Sequence, residues 1–332
     1  MKLMNERDLK IYQEELAPRL PSKIFDCHIH AFNKDFFPEG FEFPELSVYN
    51  KFGGEFPMAL WRELMQELLP QQEVWGNCFS TPNLKLDRSR VPEVNGKNEF
   101  SMIVVSPDDP AELVQKRVEE TRSVGVKPYL NLAAQVFNKK SGDVEVFDML
   151  SKEQLEYLNE KELAVTFHIP RSGRFADPVN QKQMIALCEK YPKVKFIFAH
   201  IGRAYFMQNI YQSNLDEFVR YPNAYFDTAM VNHVDILKYT FDHFPVERVL
   251  FGTDSPIALL RGKSVEINNQ YAYLMGENYA IGTSIIDTSN AVEFTTFFYE
   301  QLRAILDATP AKDLENVFFN NSYKLFTGIK VS

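Results

Sequence analysis

Six histidines occur in the chain, and four of them stand at the ends of short apolar runs. His28 and His30 close IFDCHIH (24–30), His168 lies at the end of AVTFHI (164–169), and His200 closes VKFIFAH (194–200). Asp254 closes a further run, RVLFGTD (248–254). Imidazoles and carboxylates at the ends of buried strands need partners or a metal, because a polar group withdrawn from water without one costs free energy. His28 and His30 are two positions apart, so on a strand both rings project to one face. Two imidazoles that converge with further histidines and a carboxylate suit one divalent transition metal, zinc before manganese. A lone His-x-His is a weak signal, and the joint pattern carries the reading.

Eight such runs recur along the chain, at 24–30, 73–79, 101–105, 126–132, 164–169, 194–200, 224–228 and 248–254. Each is short, apolar and rich in β-branched or aromatic residues, as a strand buried on both faces should be. Segments with helical spacing lie between them, at 109–124, 151–163, 177–191, 214–221 and 233–244, with two more expected at about 291–307 and 311–326. Alternating strands and helices imply a parallel sheet, and eight strands imply closure into an α/β fold of the (β/α)8 TIM-barrel type. The residues His168, His200, Asp227 and Asp254 follow one another at 32, 27 and 27 positions, a spacing of one strand-helix unit. An open doubly wound sheet is the alternative, and no Gly-rich phosphate loop supports it.

Residues 1–332 read as a single domain, with insertions after strands one (31–58) and eight (256–291) that form parts of a lid. The loops that follow barrel strands lie at the catalytic end. The net charge of −9, from 45 acidic against 36 basic residues, argues against nucleic-acid partners and anionic membranes. No apolar run approaches a membrane span, and the charged start lacks a signal-peptide core. Cys27, Cys78 and Cys188 are too few and too far apart for a disulfide framework, so a reducing, cytoplasmic setting is expected. A homodimer is the default assembly.

The motifs DCHIH (26–30), FHIP (167–170), FAHIG (198–202), YFDTA (225–229), FGTDSP (251–256) and NNSYKLF (320–326) together resemble the amidohydrolase superfamily of metal-dependent barrels. The similarity is greatest to the amidohydrolase-related branch that includes aminocarboxymuconate-semialdehyde decarboxylase. It covers about 20–332 and is weakest across 31–100. The resemblance implies that His28, His30 and His168 are metal ligands. Asp254 would be a ligand that also handles the proton of a nucleophilic water, and His200 a general acid or base or a polarising group. Some superfamily members hold two metals bridged by a carboxylated lysine or a glutamate on strand four. Here Lys127 falls early in the expected strand 126–132, away from the catalytic end, so one metal is expected. Several decarboxylases of the branch carry an acidic residue where His28 stands, and the intact His-x-His leans toward hydrolysis.

Arg171 and Arg174 follow His168, Arg203 follows His200, and His233 follows the seventh strand, so all four are candidates to bind substrate. Arginine pairs bidentately with carboxylates. Arg261 and Lys263 are weaker candidates, and Asp227 is a candidate to hydrogen-bond a ligand histidine. The expected function is a metal-dependent hydrolase that acts on a small carboxylated lactone, ester or amide. A non-oxidative decarboxylase on the same metal site is the alternative. An isomerase or hydratase and a non-catalytic binding module are the remaining options.

Overall fold

The computed structural model describes residues 2–331. Eight parallel strands form one sheet in sequential order: β1 (Lys23–His30), β2 (Glu73–Phe79), β3 (Glu99–Val105), β4 (Gly125–Pro128), β5 (Ala164–Phe167), β6 (Lys195–Phe198), β7 (Ala224–Asp227) and β8 (Val249–Leu250). The segment after β8 returns to β1 and closes the cylinder. Cys27 N donates to Phe251 O at 2.9 Å, Asp254 N to His28 O at 2.9 Å and His30 N to Ser255 O at 2.8 Å. These bonds place Asp254 directly beside the two histidines of β1. The strands are buried almost throughout, which explains their continuous apolar character.

The interior is layered. Phe25 and Cys27 pack with Met102, Ala164, Ile197 and Leu250 from other strands, and Phe319 and Phe326 from the C-terminal helical segments complete that cluster. The rings of Phe25 and Phe326 stack at 5.2 Å. The β1–β2 pairing shifts register between Asp26 and Ile29. Such a bulge re-aims side chains, and here His28 and His30 follow it onto the cavity side, above Phe79. Outside the barrel, the helices Ala111–Thr121, Lys152–Glu160, Pro178–Lys190, Val234–His243 and Phe297–Ala308 follow the expected spacing. Ser151 and Asp177 cap two of them through their side chains. Gln301, on the last, donates to Thr228 O at 2.8 Å and Gly252 O at 2.7 Å, fixing the segments after β7 and β8 to each other.

One expectation is corrected and one insertion is more ordered than its sequence suggests. The fourth strand stops at Pro128, and Leu130–Val136 is a helix, because proline supplies no donor to continue the ladder. Lys127 therefore stands at the catalytic end of β4. Within 256–291 a three-stranded sheet forms, of β9 (Gly262–Ile267), β10 (Gln270–Met275) and β11 (Ser284–Ile286). It meets the first insertion: Ala280 N donates to Leu46 O at 2.8 Å, and Lys51 pairs with Glu277 at 2.7 Å.

Gly125 pairs with Ala164 in the β4–β5 ladder, and a Cβ there would stand 2.1 Å from the Ala164 carbonyl oxygen. Gly125→Ala is expected to destabilise the protein by about 1–3 kcal/mol, measurable as a lower urea midpoint at unchanged slope.

Candidate active site

At the C-terminal end of the strands lies a cavity of about 540 Å³, lined by His28, His30, His168, His200, Asp254 and Lys127 among others. The parallel strands bring the four histidines and Asp254 together, as their spacing requires. His30 Nε2 lies 2.9 Å and His28 Nε2 3.4 Å from the same oxygen of Asp254. The His28 ring is 5.3 Å from that of His30 and 5.0 Å from that of His200. His168 is only 5.3 Å from His200, in an edge-on arrangement, but it lies outside the compact group formed by His28, His30 and Asp254.

The outer nitrogens of three rings are already engaged. His28 Nδ1 is 2.8 Å from Asp227 Oδ2 and His200 Nδ1 is 2.8 Å from Ala229 O. His30 Nδ1 is 3.3 Å from Ser80 O and 3.1 Å from the Tyr129 hydroxyl, which itself donates to that carbonyl. These acceptors put the hydrogen on Nδ1 and leave Nε2 as the free lone pair. Neutral imidazoles with Nδ1 held in this way are the form that binds a metal. The donor set therefore fits a divalent ion held by His28, His30 and Asp254, with His168 and His200 adjacent.

Asp227 organises this arrangement. Its Oδ2 accepts from His28, and its Oδ1 accepts the backbone N–H of His200 at 2.7 Å and of Ala229 at 3.0 Å. The backbone it holds is strained: His200, Ile201, Gly202 and Arg203 all have left-handed φ, at 57, 49, 63 and 63°. Each non-glycine residue there costs about 1–2 kcal/mol. At Gly202 a Cβ would lie 2.9 Å from the Phe175 ring. Asp254 is also left-handed, at φ 70°. A second buried carboxylate, Asp26, ties β1 to the segment after β8. It accepts from His28 N at 3.1 Å, Thr253 N at 2.8 Å and the Thr253 hydroxyl at 2.6 Å.

Burial sets the protonation states. It lowers His28 to about 4 and pushes His168 and His200 down as well. It raises Asp26 to about 7. Burial also pushes Asp254 upward, but its close contacts with His30, His28 and His200 outweigh it and hold the carboxyl below its usual range. Burial lowers Lys127 to about 8.

The candidate substrate-binding residues have different fates. Arg203 lines the cavity, but its Nη1 donates to Ile169 O at 3.0 Å and Arg171 O at 3.2 Å. Arg171 pairs with Asp177 at 2.9 Å and Arg174 lies over the Tyr271 ring at 4.2 Å. His233 sits 3.5 Å from Glu266. These last three do not line the cavity. Arg261 pairs with the buried Asp8 and Lys263 with Glu300, both away from it. Sequence reasoning overlooked Asp26 and Tyr129 and misplaced Lys127. The adjacency of Asp26 to the His-x-His was the available signal for the first, and Pro128 for the third.

Asp227→Asn is expected to present an amide N–H to His28 and favour the wrong tautomer. Metal affinity should fall about 10–100-fold, measured by competition with a chromogenic chelator. A further expectation concerns acid. The stability gained by burying His28, His168 and His200 as neutral rings is complete above the ordinary histidine value of 6.5 and is lost as pH falls toward 4. Asp26, raised to about 7, runs the opposite way and offsets part of this loss. The melting temperature of the metal-stripped protein should drop between pH 6.5 and 4, and more steeply in Asp26→Asn, as read by calorimetry across that range.

The sequence profile of the amidohydrolase family matches residues 99–327. No curated protein sequence matches the chain. Among solved structures, 4-oxalomesaconate hydratase from Rhodopseudomonas palustris is 16% identical, covering 92% of this chain and 95% of that one, with a TM-score of 0.55. An Acinetobacter baumannii protein described as a probable 2-pyrone-4,6-dicarboxylic acid hydrolase, with citric acid bound, is 12% identical over 92% and 99% of the chains (TM-score 0.54). The 2,6-dihydroxybenzoate decarboxylase from Rhizobium is 10% identical over 92% and 99% (TM-score 0.53). At these identities the structural likeness establishes the barrel fold alone, while the profile match extends over most of the chain and includes His168, His200 and Asp254. The chain belongs to the amidohydrolase family.

Proposed function

We propose that the protein is a metal-dependent hydrolase that cleaves a small carboxylated lactone, ester or amide. The observation that carries this reading is the convergence of free histidine Nε2 atoms on Asp254, with each supporting Nδ1 of His28, His30 and His200 already engaged. His28, His30 and Asp254 would hold one divalent ion, zinc before manganese, with His168 completing the set from the end of β5. When bound, such an ion lowers the pKa of water toward ~7 and polarises a carbonyl. Asp254 stays ionised at neutral pH, so it can accept a proton from the attacking water and pass it to the leaving group. His200, tied through Nδ1 to Ala229, presents an Nε2 lone pair that can accept a proton as a general base. The two insertions meet over the cavity and act as its lid, limiting access of bulk water.

The names of the structural neighbours support an acidic substrate, since they include a hydratase, a dicarboxylic acid hydrolase and a benzoate-type decarboxylase. The tyrosines in the cavity wall, Tyr49, Tyr129, Tyr205, Tyr271 and Tyr273, favour a second reading, decarboxylation of a flat acid. Release of carbon dioxide without uptake of oxygen from labelled water separates the two reactions.

Protein purified without chelator is expected to carry about one equivalent of zinc or manganese by elemental analysis. Asp254→Ala and His168→Ala should lower this content. Turnover of carboxylated lactones, esters or amides should fall about 10²–10⁴-fold in Asp254→Asn. Absence of metal even after incubation with zinc would overturn the reading.

A further inference from the structure

Lys127 is 1% exposed at the end of β4, yet its side chain borders the cavity together with His28, His30 and Asp254. Its Nζ lies 4.4 Å from the centre of the Phe79 ring and 5.4 Å from that of Tyr129. Two aromatic faces thus flank it, and no described residue accepts a hydrogen bond from it or forms an ion pair with it. A buried ammonium in this position retains three unused donors, an expensive arrangement unless an acceptor arrives from outside.

The nearby carboxylates are committed elsewhere. Both oxygens of Asp227 accept from His28, His200 and Ala229. Asp254 faces His28 and His30. Arg171 pairs with Asp177 and Arg174 lies against tyrosine faces, both outside the cavity lining, whereas Arg203 lines the cavity and gives Nη1 to backbone carbonyls while its Nε has no partner among the described residues. A divalent ion between the histidines and Asp254 would add positive charge beside Lys127 and strengthen the site's demand for an anion.

We propose that Lys127, rather than the arginines of the fifth- and sixth-strand loops, receives the acidic group of the substrate. This rests on the acidic-substrate reading above and adds the residue that enforces it. The carboxylate would bind deep in the cavity against Phe79 and Tyr129, with the substrate body between the tyrosine walls and its reacting carbon toward Asp254. Lys127 is then a specificity residue that selects anions over their neutral isosteres.

The test is calorimetric titration of the full chain with benzoate and with benzamide, its neutral isostere, in metal-stripped and zinc-loaded forms. The stripped form matters because a carboxylate cannot then be held by the ion. Wild type is expected to bind benzoate at least tenfold more tightly than benzamide in both forms. Lys127→Met and Lys127→Gln should lose that preference while retaining zinc content and benzamide affinity. As a check independent of any substitution, benzoate but not benzamide should protect Lys127 of the stripped wild type from an amine-acylating reagent, read by peptide mass. If wild type binds the two probes alike, the acidic-substrate reading falls and the proposal falls with it. If wild type prefers benzoate, the Lys127 variants keep that preference and protection is absent, only the assignment of Lys127 falls. A second zinc equivalent that disappears in Lys127→Met, with a carbamate signal from ¹³C-bicarbonate, would overturn the proposal in favour of a metal-bridging lysine.

Discussion

Both oxygens of the Asp227 carboxylate are engaged by the site. One fixes the tautomer of His28, and the other holds the backbone at His200 and Ala229. A single buried charge at the end of β7 thus links a candidate metal ligand on β1 to a candidate proton-transfer group after β6. Burial alone would push Asp227 toward the neutral acid. The adjacent His28, the hydrogen bond to it and the N–H donor from His200 reverse this and keep it ionised. A carboxylate maintained in this way also disfavours rotation of the His28 ring, so the orientation of its Nε2 lone pair toward Asp254 is a consequence of the barrel's cross-strand wiring.

The same bond accounts for the strained turn at His200–Arg203. A run of left-handed residues that includes the β-branched Ile201 is unfavourable in isolation. It persists because both of its ends are held: Asp227 and Ala229 fix His200, while Arg203 reaches back to the carbonyls at 169 and 171. That last contact ties the loop after β5, which begins with His168, to the loop after β6. Strain at a site of this kind is a device for placing a side chain that regular structure would not place there. Asp254 follows the same logic, with a left-handed backbone anchored to His28 O and flanked by the Asp26–Thr253 contacts.

The barrel and the histidine–aspartate set were legible in the sequence because both depend on periodic features. Buried parallel strands are continuous apolar runs, and each chemistry-bearing residue stands where such a run ends. The fourth strand was misread for a related reason: VKPYLNL is apolar throughout, and apolarity alone does not show where a strand becomes a helix. Pro128 does, and misplacing that boundary hid Lys127 from the site. The β9–β11 sheet was missed because its strands alternate imperfectly, although Asn268 and Asn269, both left-handed at the two-residue turn between β9 and β10, were an available hairpin signal. The partners of the candidate arginines were not legible at all. Whether Arg171 faces a substrate or Asp177 depends on a loop path that no periodicity encodes.

Charge balance connects these features. Asp227 and Asp254 are held ionised, whereas Asp26 is pushed toward the neutral acid, so the buried anions amount to about two charges, against the cations of Lys127 and Arg203 that line the cavity. A divalent ion would tip that balance to net positive. In a cavity of low dielectric an excess positive charge is costly, and an incoming anion is the species that removes it. Neutral histidines would leave Asp254 and their own Nε2 atoms to a metal, since protonated rings compete with a cation for Asp254 and repel it. The burial that lowers the histidines would therefore favour metal binding, in a cavity that the barrel end and both insertions line.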